Sequence, residues 1–204
     1  RIKYFQKKKI KETMVPFYKN PDYWDAPAGG NDNIDWFKAI YRDQVLSQEH
    51  NLSFSGGNDR IRFYTSGNFL DQNGFMEFNQ DEFNRFAFSL MLDATLNNWA
   101  SINLKNRFIR EEYGRPSFLN SSLFNTMSRQ GWPTTPLYDP NGYLFHSPSP
   151  ALNLRDGGRF KSQKDWLYQQ LQLVLEPIKG WKTFAEFNYR TTNDFNHENR
   201  QVTY

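Results

Sequence analysis

The sequence contains no cysteine and only three histidines, and at a mean hydropathy of −0.83 it has no long apolar run. Without cysteine there is no disulfide framework, no thiolate zinc site and no cysteine nucleophile. His50, His146 and His197 are scattered and form no H-E-x-x-H pattern, so no metal site is expected. A helix that crosses a membrane needs roughly 18 consecutive apolar residues, and none exist here. No G-x-S-x-G elbow and no G-x-x-x-x-G-K-[ST] loop occurs, and Glu111-Glu112 reads as a solvated or Arg-paired doublet. The chain is therefore not expected to be an enzyme or to hold a cofactor. A net charge of +3, from 25 Lys and Arg against 22 Asp and Glu, is too small to imply a nucleic-acid partner.

What the chain does have is rings. The 19 Phe, 11 Tyr and 6 Trp make up 18% of it, and disordered chains are poor in aromatics. The chain opens on Arg1 with no apolar leader and stops at Tyr204, which reads as a piece cut from a longer protein. Residues 1–35 read as an irregular linker, with a basic run at Lys7, Lys8, Lys9 and Lys11 and many Gly, Pro and Asn. Ile34, Phe37, Tyr41 and Val45 follow at helical spacing behind Asn33 and Asp35, predicting one short helix over residues 34–45.

From residue 48 onward the period becomes two. Leu52 and Phe54 alternate with polar residues, as do Ile61, Phe63, Thr65, Gly67 and Phe69. The same holds for Phe86, Phe88, Leu90 and Leu92, and for Ile102, Leu104, Asn106 and Phe108. Leu171, Leu173 and Leu175, then Trp181, Thr183, Ala185, Phe187, Tyr189 and Thr191, complete six predicted strands. Every charged residue in these windows falls on the polar parity.

The links alternate short, long, short, long, short, the longest over about residues 111–165. That pattern predicts an all-β antiparallel meander of about six strands, with tight turns on one rim and elaborated loops on the other. Outer-membrane barrels sort their loops in this way. Trp99 and Trp181, each just after a short turn, fit an interfacial aromatic belt.

The expected polar-face residues are Arg62, Tyr64, Asn68, Arg85, Lys105, Arg107, Lys182 and Arg190. They would line a lumen, either along a solute path or against acidic residues filling it. In the long loop, Trp132, Tyr138, Tyr143 and Phe145 are candidates for stacking on sugars or packing a partner.

Several words of the sequence resemble a known family. Ile34-Asp35-Trp36-Phe37 leads to His50-Asn51-Leu52-Ser53-Phe54-Ser55-Gly56-Gly57-Asn58, then to Tyr64-Thr65-Ser66-Gly67 and Asp71-Gln72-Asn73-Gly74. Pro140-Asn141-Gly142, Gly157-Gly158-Arg159 and Leu175-Glu176-Pro177-Ile178-Lys179-Gly180-Trp181 follow in order. Together they resemble the SusC/RagA family of TonB-dependent outer-membrane transporters of Bacteroidetes.

The resemblance implies part of a plugged barrel of about 22 strands in a Gram-negative outer membrane. On that pattern residues 1–35 would lie on the plug side, 36–47 would form a helix at the plug-to-barrel junction, and 48–204 would be the first barrel strands. It also implies import of oligosaccharides or peptides, a SusD-like surface lipoprotein as partner, and energy from TonB through a plug region outside this chain. One alternative is a soluble all-β module that binds carbohydrate or peptide, with its apolar face packed on a second sheet. Another is a passive or structural outer-membrane barrel.

Overall fold

The structure, a computed structural model, describes residues 32–129, 131–139, 141–145 and 149–203. The expectations for residues 1–31, with the lysine run, and those for Pro140 and His146 lie outside these residues. Six strands form one antiparallel sheet in sequence order. They are β1 (Ser47–Gly57), β2 (Ile61–Asn73), β3 (Glu82–Asn97), β4 (Ala100–Pro116), β5 (Arg159–Ile178) and β6 (Trp181–Glu198). Among the described residues three short helices lie outside it: α1 (Trp36–Ile40), α2 (Ser121–Arg129) and α3 (Pro150–Asp156).

The strands outrun the windows of alternation, most of all β5, which begins at Arg159 rather than near residue 170. The long loop is correspondingly residues 117–158 rather than 111–165. The reason lies in the extensions themselves: Lys161, Gln163 and Asp165 stand on one face of β5, and Ser162 and Lys164 on the other. With both faces polar, the period-two signal vanishes while the ladder of hydrogen bonds continues.

The helix is also shorter than its periodicity predicts. Asp35 caps it, accepting from Lys38 N at 3.3 Å, but Tyr41 turns extended and bridges to Met76. Arg42 N donates to Phe75 O at 2.8 Å and Glu77 N to Ile40 O at 2.7 Å, so pairing with residues 75–77 ends α1.

Residues opposite one another in an antiparallel ladder point to the same face. The register therefore sorts the whole sheet. One row runs Phe63, Leu92, Leu104, Leu171, Phe187, and the next Ile61, Ala94, Ile102, Leu173, Ala185. From Phe86 to Ala94 this apolar face runs nine residues along β3, about 26 Å at 3.3 Å per residue, the length of a tilted strand that crosses a bilayer. Asn106 and Gln169, paired across β4 and β5, interrupt the band, and Asn106 Oδ1 is buried without a partner among the described residues. Towards the long links the face turns polar at Asp71, Asn84, Glu112 and Gln163, a single cross-strand row. Just below it, Arg110 grips Asp165 with two hydrogen bonds of 2.8 Å.

Among the described residues no layer covers either face of the sheet, and its apolar residues are solvent-exposed; Phe187 is 62% accessible and Leu171 43%. Trp99, in the turn between β3 and β4, and Trp181, opening β6, are likewise exposed at the short-turn rim. The hydrophobic core lies elsewhere. Trp36, Ile40, Met76, Leu123, Met127, Leu144, Ala151, Leu152 and Leu154 bury one another where α1, the 74–81 link and the long loop meet. All three belong to the long-link rim.

Two glycines with similar backbones separate strain from crowding. Gly142 has φ of 86° and open space around it, whereas Gly158 has φ of 95° and an added Cβ would lie 2.0 Å from Asn199 O. Asn tolerates the left-handed region. Gly142→Asn is therefore expected to leave thermal stability almost unchanged, while Gly158→Asn should loosen the loop base by roughly 1–3 kcal/mol. Protease susceptibility of residues 117–158 in each variant checks this.

Candidate functional site

The polar face collects every polar residue singled out in the strands. Arg62, Tyr64 and Asn68 lie on β2, Arg85 on β3, Lys105 and Arg107 on β4, and Lys182 and Arg190 on β6, all with one parity in the ladder. Their partners differ by height. Near the long-link end, Glu49 accepts from Asn68 Nδ2 at 2.8 Å and pairs with Arg85 at 3.6 Å, and Asn68 also bonds the Asn51 amide oxygen. At the short-turn end, Lys182 pairs with Glu176 at 3.5 Å, whose other oxygen accepts from Gly180 N at 3.0 Å. Arg62 stands opposite Asp93 in the register.

Between these ends the face is cationic. One row runs Ser66, Ser89, Arg107, Tyr168, Arg190, and the next Tyr64, Met91, Lys105, Gln170, Asn188. Two clefts lie along the rows. One, of about 610 Å³, is lined by Tyr64, Asn68, Arg85 and Arg107; the other, of about 550 Å³, by Lys105, Arg107, Tyr168 and Arg190. Tyr168 was not visible from the sequence, because the polar stretch before it reads as loop.

The loop aromatics are not brought together as one group. Tyr138 and Tyr143 flank a single tight hairpin, in which Asp139 accepts from Asn141 N and Tyr143 N through its side chain and Tyr138 bridges Leu144. Tyr143 is 70% accessible, and Phe145, half-buried, donates its N–H to Leu137 O at 2.9 Å. Trp132 sits on the α1 side, its carbonyl accepting from Trp36 Nε1 at 3.0 Å and its ring 54% accessible. Backbone bonds from Asp32 N to Thr134 O and from Ile34 N to Pro133 O tie α1 to the same stretch.

A residue absent from the sequence reading holds this lobe together. Asn79 sits in the left-handed region at φ of 52°, and its amide donates to the carbonyls of Leu154, Arg155 and Gly158 at 3.3–3.5 Å. Its carbonyl oxygen accepts from Arg159 Nη1 at 2.6 Å, while Arg159 Nη2 binds Glu82 at 2.6 Å. One side chain thus caps the end of α3 and joins the two long links. Nearby, burial and then the charge of Asp81 push the Tyr41 phenol up, and the Arg155 guanidinium holds the Asp156 carboxyl below its usual range.

One exposed apolar face, one polar face and loops sorted by rim are the features of a strip of outer-membrane β-barrel wall. No family model matches the chain. In sequence it is 28% identical over 173 residues to the TonB-dependent receptor P39 of Formosa agariphila, taking in 80% of this chain and 16% of that protein, so the chain spans about a sixth of that curated relative. In fold it is similar to the RagAB peptide transporter (TM-score 0.57, 20% identity, 80% of this chain and 19% of that one). It is similar also to the RagAB peptide importer in its closed-closed state (TM-score 0.61, 18% identity, 95% and 24%). The chain thus has the all-β fold of a piece of such a transporter's barrel, and the proteins it is similar to are a receptor and transporters rather than enzymes.

Asn79→Gly keeps the left-handed backbone and deletes only the amide. Losing those bonds is expected to destabilise the lobe by about 1–3 kcal/mol. Hydrogen exchange should rise in residues 74–81 and 150–158 and stay unchanged in β1 to β6; equal exchange throughout the wild type and variant would contradict the latch.

Proposed function

We propose that the chain is a stretch of wall from a TonB-dependent outer-membrane importer that takes up oligosaccharides or peptides. Its apolar face meets lipid, its polar face meets the lumen, and the lobe of long links lies outside the cell. The observation that carries this reading is the register. It places an apolar band as long as a tilted membrane-crossing strand on one face and all eight polar residues on the other, with the long links on one rim. RagAB, a peptide transporter of similar fold, supports import as the activity. The exposed Trp132, Tyr138 and Tyr143 give a SusD-like surface lipoprotein or the incoming solute aromatic surface to pack against. TonB would act through a plug beyond these residues. The six strands between residues 47 and 198 form the wall, and α1 packs with the long links of the outer lobe.

A soluble binding module needs a second sheet over the apolar face, and the described residues form one sheet. A pair of substitutions separates the readings. Leu104→Arg, in the apolar row, should lower the amount of full-length protein folded in the outer membrane, at about 2–4 kcal/mol for a cation near the bilayer centre. Ser66→Arg, at similar height on the polar face, should leave it nearly unchanged. Heat-modifiability on gels after membrane fractionation reads both; equal effects of the two substitutions, or a fully soluble product, would sink the importer reading.

A further inference from the structure

We infer that the middle of the polar face is a carboxylate-recognition site built from Arg107, Tyr168 and Arg190, with Lys105 beside them. This rests on the importer reading and names the chemistry of its cargo. Three observations support it. First, the cations there are in no ion pair among the described residues, a state shared on this face by Arg62 and Arg115 but not by the others. Arg85, Lys164 and Lys182 are each in an ion pair, but Lys105, Arg107 and Arg190 are in none among the described residues. The nearby acid, Glu186, accepts from Asn188 at 2.6 Å and Gln172 at 3.2 Å and lies close enough to Lys105 for the two charges to interact, so the two arginines carry the site and Lys105 assists.

Second, the register sets the spacing. Arg107 and Arg190 are both opposite Tyr168, one on each side. At about 4.8 Å per strand they stand roughly 10 Å apart, so both guanidinium groups reach a small planar anion lying over Tyr168. The Arg190 guanidinium already lies 5.3 Å from the Tyr168 ring centre, which leaves the phenol hydroxyl as a further donor. Third, the neighbours suit the rest of a ligand. Gln170 and Asn188, both hydrogen-bonded to Glu186, place amides in the next row, facing the same cleft of about 550 Å³, each with further hydrogen-bonding capacity. Amides pair equally with a peptide backbone or with sugar hydroxyls.

Oligopeptides and oligosaccharides, the two cargo classes of the proposed importer, commonly carry negative charge as carboxylate: a peptide terminus or acidic side chain, or a uronic acid. The geometry favours that group and does not choose between its two carriers. Calorimetric titration of the purified full-length transporter makes the choice. The compounds are glutamyl oligopeptides with free and amidated carboxyls, and trigalacturonate with its methyl ester. One free-acid series should bind, and its neutral derivative should bind roughly tenfold more weakly. Arg107→Gln with Arg190→Gln should abolish the preference for acid over neutral compound without changing the melting temperature, and Lys105→Gln should weaken it partially.

Equal binding of acid and neutral forms, or no binding of either series by the folded protein, overturns the inference. So does a double variant that keeps the preference, or one that only lowers the melting temperature, since those cations would then serve acidic residues of the protein itself. Failure of the importer reading shows separately, in the Leu104→Arg and Ser66→Arg pair.

Discussion

The structure depends on one constraint: in an antiparallel ladder, neighbouring residues on a strand face opposite ways and partners across strands face the same way. A slip of one residue in any strand would carry its apolar set to the polar face. Once Phe63 lies opposite Leu92, Leu92 opposite Leu104, Leu104 opposite Leu171 and Leu171 opposite Phe187, the faces of these five strands follow up to the register shifts beside the short turns. The cationic rows and the apolar band are two consequences of the same hydrogen bonds. This is why Arg107, Tyr168 and Arg190, far apart in the chain, share a row that no local motif describes.

That constraint moves the packed core away from the sheet. A soluble β protein buries the apolar face of its sheet, yet among the described residues the only buried apolar side chains in the strands are Ala100 and Pro116, at the two ends of β4. The remainder of the core lies where α1 and the two long links converge, closed by Asn79 and Arg159. Ser117 N bonds Gly158 O at 3.0 Å across the base of the long loop, and Asn199 N bonds Arg159 O at 3.0 Å beside it. The long loop is consequently a packed element with a fixed foundation, able to present Trp132 and Tyr143 in set positions.

The sheet was legible from sequence wherever its two faces differ in polarity. In β3 and β4, Phe86 to Leu92 and Ile102 to Phe108 alternate cleanly, and the strands stand where the alternation puts them. Legibility failed where both faces are polar, as at Arg159 to Asp165, since hydrogen bonding alone extends the strand there. It failed again for α1, whose helical spacing continues to Val45 while strand-like pairing with Phe75 and Met76 stops the helix at Ile40. The polar-face arginines could be found by parity. Tyr168 and Asn79 could not, since one lies in the unreadable part of β5 and the other takes its role from a left-handed backbone and three distant carbonyls.

The two parts of the chain draw their stability from different sources. The lobe has its own core and a closed set of side-chain bonds, so its order is local. The sheet lacks both, and among the described residues β1 bonds only to β2 and β6 only to β5. Unpaired strand edges template aggregation in water and are not tolerated in lipid, where each orphaned backbone group costs several kcal/mol. Under the importer reading, both edges are met by further strands and the apolar band by acyl chains. Closure and the bilayer then supply the order that packing supplies in a soluble domain. A wall stabilised in that way need not fill its polar face with hydrophobic side chains, and its cations remain available to whatever occupies the lumen.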